Sequence, residues 1–119
     1  MRIFNKDHKV NFVDRHNTLV GFDNHQQCCE KFGWSVSQSS GDLSCVVASK
    51  EELEPYAFDP TSPPIHQNDP ITEGGSVSFL LVAPGMTPLY LTLFNHHNGY
   101  YSHGFHLDCG GKLALEGEL

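Results

Sequence analysis

Residues 76–94 constrain this chain more than any other stretch. Ser76-Val77-Ser78-Phe79-Leu80-Leu81-Val82 is rich in β-branched and aromatic residues, the composition of a pleated, largely buried strand. Pro84-Gly85 stops it, and Pro88-Leu89-Tyr90-Leu91-Thr92-Leu93-Phe94 alternates again. Two such strands cannot bury their apolar sides alone; they need sheet neighbours and an opposing layer. At 119 residues the chain is long enough for one ordinary core without metal or disulfide staples. The expectation is a single domain over residues 1–119.

The flanking sequence supplies further short strands. Val10-Asn11-Phe12-Val13 alternates, Asp14-Arg15-His16-Asn17 is turn-rich, and Thr18-Leu19-Val20-Gly21-Phe22 follows. Residues 10–22 therefore read as a hairpin. Trp34–Ser37 and Leu43–Val47 read as strands. Ser49-Lys50-Glu51-Glu52 resembles a capping box, but Pro55 limits any helix there to about one turn. Residues 54–75 carry five prolines and end at Gly74-Gly75, so they read as an irregular loop pinned by Tyr56, Phe58 and Ile65. Asn98-Gly99 signals a hairpin from residues 88–94 into Tyr100–Asp108. After the Gly110-Gly111 turn, residues 112–116 form a last edge strand.

One helix is expected near residues 23–33. His25, Cys28, Cys29 and Phe32 fall at i, i+3, i+4 and i+7, a single helical face. Asp23 or Asn24 provides the N-cap, and Gly33 a stop. The fold class is then α+β: mainly antiparallel β, a curled sheet or sandwich of about seven or eight short strands, with this helix packed on one face.

Charge narrows the partners. The formal net charge is −7, which opposes nonspecific nucleic-acid binding and adsorption to anionic membranes. No apolar run reaches the roughly 18 residues of a spanning helix. The N-terminus lacks a signal-peptide core, so a cytoplasmic location is expected. The four cysteines, Cys28, Cys29, Cys45 and Cys109, then read as free thiols.

Chemistry-bearing residues concentrate in Asn95-His96-His97-Asn98-Gly99-Tyr100-Tyr101-Ser102-His103. In a hairpin turning at Asn98-Gly99, His96 opposes Tyr101 and Phe94 opposes His103, which makes His96 and His103 diagonal neighbours. His106 falls on the opposite face from His103. The Cys28-Cys29-Glu30 segment, Gly33-Trp34, and His97-Asn98-Gly99-Tyr100-Tyr101-Ser102-His103-Gly104 resemble a family of small bacterial and phage domains of unknown function. The resemblance spans most of the chain outside residues 38–75. It implies that the two blocks belong together and brings no activity or site role with it.

Three functions fit these residues. The first is a non-catalytic binding or assembly module, with His97, Asn98, Tyr100, Tyr101 and His103 as contact residues. Here an edge strand from residue 112 onward could pair with a second copy into a homo-oligomer. The second is a zinc protein with Cys28, Cys29, His96 and His103 as ligands. Adjacent cysteines diverge by about 100° on a helix, and burial of Cys28, Cys29 and Phe32 is the plainer use of that face. The third is a cysteine-dependent hydrolase, with Cys28 or Cys29 activated at the helix N-terminus and a histidine base. No phosphate-binding glycine loop, nucleophile elbow or zinc-protease motif is present.

Overall fold

A computed structural model describes residues 1–24, 31–44, 50–68, 75–96 and 103–119. They contain ten strands: β1 (Arg2–Lys6), β2 (Lys9–Val13), β3 (Thr18–Asp23), β4 (Lys31–Ser37), β5 (Ala57–Phe58), β6 (Ile65–Asn68), β7 (Gly75–Val82), β8 (Leu89–His96), β9 (Gly104–Cys109) and β10 (Lys112–Glu118). A 3-10 turn, Lys50–Leu53, is the one helical element among the described residues. The first sheet runs β1-β2-β3-β9-β10. The second runs β4-β8-β7-β5, with β6 sharing the β5 edge of β7. All pairings are antiparallel.

Turn chemistry sets the hairpins. Asp7 and His8 both take positive φ, 55° and 60°, which closes the two-residue turn from Lys6 to Lys9 with the twist a hairpin requires. Gly110 and Gly111 do the same between Cys109 and Lys112. In the β2–β3 turn, the Asp14 carboxylate accepts the backbone N–H groups of His16 and Thr18, each at 2.9 Å. The expected 10–22 hairpin is therefore present as β2 and β3.

Period-two alternation then builds the core. In the first sheet Ile3, Phe12, Val20, Leu107 and Leu115 form one inward row, and Val10, Phe22 and Phe105 belong to the next. The second sheet contributes Val36, Val77, Phe79, Leu81, Leu91 and Leu93 to the same buried cluster. Aromatic pairs join the layers edge to face: Phe12 with Trp34 at 5.1 Å and Phe79 with Phe105 at 6.4 Å between centroids. The result is two antiparallel sheets packed face to face.

Several expectations are corrected. The helix over 23–33 does not form as expected: Asp23 ends β3, and Lys31–Gly33 open β4. Phe32, Trp34 and Val36 alternate inward with period two, and pairing along β8 prevails over the helical spacing. Residues 25–30 lie outside those described. The expected pairing of residues 88–96 with 103–108 is also overturned, because β8 and β9 belong to different sheets; the turn itself, within residues 97–102, lies outside those described. Both edges of β8 are already taken, by β4 and β7. Leu43 and Ser44 are not in a strand, and 45–47 lie outside the described residues. The proline-rich stretch holds β5 and β6. Tyr56 and Phe58 pin it as expected, whereas Ile65 is exposed. The one-turn limit before Pro55 holds.

Candidate functional site

The two outer sheet faces differ. On the second sheet, Ser35, Ser37, Ser78 and Thr92 point away from the core, yet all are buried. The loop after β4 folds back over them. The Ser35 hydroxyl donates to the Asp42 carbonyl at 3.0 Å, and Ser37 donates to the carbonyls of Ser39 and Asp42, each at 2.9 Å. The Gly41 N–H donates to the Ser78 and Thr92 hydroxyls at 3.1 and 3.3 Å. Hydroxyl groups on a covered face require such partners, since an unpaired buried polar group is costly. This face is closed.

The outer face of the first sheet is largely exposed among the described residues, with Asn11 and Gly21 buried at its centre, and register lays it out in three rows. The first is Arg2, Val13, Leu19, Asp108 and Leu113. The second is Phe4, Asn11, Gly21, His106 and Glu116. The third begins Lys6, Lys9 and Asp23 and continues with Gly104 and Glu118. Arg2, Lys6, Lys9, Leu113, Glu116 and Glu118 are exposed. Positive side chains lie on β1 and β2, with the Arg2 guanidinium 5.3 Å from the Phe4 ring centre. Negative side chains lie on β9, β10 and the end of β3.

A hollow of about 820 Å³ opens on the acidic half, lined by Lys9, Asp23, His106, Asp108, Glu116 and Glu118 among others. One of its lining residues, His106, packs on a glycine of the neighbouring strand. The His106 imidazole occupies the space that a β-carbon on Gly21 would need, with Nε2 2.9 Å from that position. From there His106 Nε2 lies 3.8 Å from Asp108 Oδ2. The bulge between Leu113 and Leu115 realigns β10 so that Glu116 comes opposite His106.

A second hollow, about 650 Å³, lies where the β2–β3 turn meets the 3-10 turn. Two of its three cations, the Met1 ammonium and Arg15, are engaged structurally. The Met1 ammonium donates to the Leu53 and Glu54 carbonyls at 2.9 Å each, and Arg15 donates to the Pro55 carbonyl at 3.0 Å. Burial lowers the Met1 amine pKa, partly offset by the nearby Glu54 and Asp14 carboxylates. This region is a joint between the layers.

The residues singled out from sequence are placed as follows. Cys28, Cys29, His97, Asn98, Tyr100 and Tyr101 lie outside the described residues. His103 is 1% exposed, stacked on Phe32 with centroids 4.0 Å apart. Its Nδ1 is 2.7 Å from the Asp23 carbonyl oxygen. That oxygen only accepts, so Nδ1 carries the hydrogen. Backbone bonds to Leu119 in both directions hold His103 in place. His96 ends β8 on the outer side of the second sheet, with its ring 5.4 Å from Phe94. The two histidines thus face opposite sides of that sheet and are not diagonal neighbours. His106, expected on the other face from His103, does point outward.

Among the described residues no three His, Cys, Asp or Glu side chains are grouped to hold a metal ion, and no helix is long and apolar enough to cross a membrane. Sequence reading did not single out the first sheet's outer face. Its signal is present: Arg2, Phe4 and Lys6 alternate, as do Gly104, His106 and Asp108. Which strands adjoin is not visible without the pairing. No protein-family model, curated protein or solved structure matches this chain.

Proposed function

We propose that this chain is a non-catalytic binding or assembly module whose contact surface is the outer face of the first sheet. The observation that carries the reading is the asymmetry between the two outer faces. One is closed by its own loop through hydroxyl and carbonyl hydrogen bonds. The other presents exposed charge of both signs around the His106 ring, which packs on Gly21. Exposed charges steer association and fix register, and the hydrogen-bonded strands of the sheet hold them in fixed relation.

The zinc and cysteine-hydrolase readings turn on Cys28 and Cys29, outside the described residues, and no described observation favours either. The contact reading is tested by zero-length carbodiimide cross-linking, which joins lysine amines to carboxylates in van der Waals contact. Intermolecular links should concentrate on Lys6, Lys9, Glu116 and Glu118. Links distributed equally through Lys31, Lys50 and Lys112 would overturn the assignment of this face.

A further inference from the structure

We infer that the occupant of the first sheet's outer face is a second copy of this chain, seated face to face about a twofold axis that runs along β3. The inference deepens the contact reading proposed above and rests on it. Its basis is the distribution of charge across the five strands. Arg2, Lys6 and Lys9 lie on β1 and β2; Asp108, Glu116 and Glu118 lie on β9 and β10. β3 is the central strand between the two halves.

An isologous contact places one patch against itself. A twofold axis lying in the interface along β3 carries β1 and β2 of one copy over β10 and β9 of the other. Lys6 then comes opposite Glu118 of the second copy, and Arg2 comes beside its Leu113 and Glu116. The alternative in-plane axis, across the strands, would set β1 over β1 and place Arg2 against Lys6 of the second copy, whereas the axis along β3 brings one like pair together, Asp23 with its own copy. Charge polarity therefore selects one orientation. Near this axis the His106 ring packs down over Gly21, and Asn11 comes opposite His106 of the second copy.

Charge balance favours this face. The chain carries −7 overall, so copies repel at long range. Three cations and four anions, Asp23 included, make this face nearly neutral. Its size sets the strength of the contact. Five strands about 4.8 Å apart and about six residues deep at about 3.4 Å each span roughly 24 Å by 20 Å. Two such faces bury roughly 1,000 Å², near the lower limit of specific interfaces. The dimer is weak and salt-sensitive.

Sedimentation velocity with native mass spectrometry tests this on the full chain. A monomer–dimer equilibrium is expected at moderate salt, where a Debye length of about 8 Å screens the net repulsion between copies more than the facing charge pairs. It should weaken by at least about tenfold as the Debye length falls to about 3 Å. Lys6→Glu/Lys9→Glu and Glu116→Lys/Glu118→Lys should each be monomeric alone and form a heterodimer when mixed, because each presents the charge the other needs. Circular dichroism melts check that both fold; Lys6→Glu and Glu118→Lys replace the pairs where a double variant does not. A wild-type dimer indifferent to both substitutions overturns the inference. A monomer at every concentration, with cross-links from Lys6, Lys9 or Glu116 to a different protein, overturns the second copy and leaves the contact face standing. A monomer with no links confined to this face removes both.

Discussion

The imidazole of His106 lies in the space above Gly21, where any side chain would have to go. Gly21 is therefore held by packing, not by backbone conformation. Gly21→Ala should cost about 1–2 kcal/mol, since the added methyl forces the ring away from the strand and from Asp108. In a His106→Ala background the same change should become neutral or stabilise by about 0.5–1 kcal/mol, because alanine is preferred to glycine inside a strand. A double-mutant cycle read by urea unfolding measures the sign change. A cost that persists without His106 would refute the packing account.

A second test concerns the closed face. The Ser78 and Thr92 hydroxyls are 2.8 Å apart and share the Gly41 N–H. Thr92→Val keeps the shape and removes one partner, so it should cost about 1–2 kcal/mol. Gly41 takes φ 77° with the Gln67 side-chain amide where a β-carbon would fall. Gly41→Ala should therefore cost about 1–3 kcal/mol through backbone strain and displacement of Gln67. Hydrogen exchange should show the Gly41 amide protected in the wild type and faster in Thr92→Val. An unchanged rate would mean that the hydroxyl pair does not hold the loop.

How much of this was legible follows from where the information resides. The 10–22 hairpin was readable because alternation and the Asp14–Asn17 turn are local and agree. The region around Phe32 carried two periodicities, and pairing with β8, some 60 residues away in sequence, decided between them. Asn98-Gly99 looked like a hairpin, yet β8 was already paired on both edges, a fact no local window contains. β5 and β6 were hidden among prolines because each is short and docks end to end on one edge of β7. The contact face was unreadable for the same reason. Its residues come from five strands, and only the register sets Lys9 beside Asp23 or His106 beside Glu116.

Asp14 links the layers and gives a third prediction. It is buried, with Oδ1 accepting the His16 and Thr18 N–H groups and Oδ2 accepting the Phe58 N–H at 3.0 Å. One carboxylate thus closes the β2–β3 turn and anchors β5. Asp14→Ala should cost about 2–4 kcal/mol, the range expected when several charge-assisted hydrogen bonds are lost together. Asp14→Asn should cost nearly as much, because an amide can present its oxygen to the turn or to Phe58 but not to both. Thermal melts of the two variants decide; an asparagine as stable as the wild type would show that one of the two contacts carries little weight.

The last prediction concerns pH. Asp59 accepts the N–H of Thr61 at 2.9 Å and its hydroxyl at 2.7 Å on Oδ1, and the Ser62 hydroxyl at 3.2 Å on Oδ2. These bonds, those from Thr61 foremost, favour the ionised form and hold the carboxyl below its ordinary value, against a small opposing effect of desolvation. The stabilisation is fully present above the ordinary carboxylate range and is lost as pH falls through the lowered folded value, because the unfolded chain binds the proton first. Thr61→Val removes the hydroxyl bond and should move the Asp59 midpoint upward in a carbon-detected NMR titration. Acid destabilisation should become shallower to match. If the midpoint does not move, Thr61 does not set the ionisation of Asp59, and the turn after β5 owes its acid sensitivity to another group.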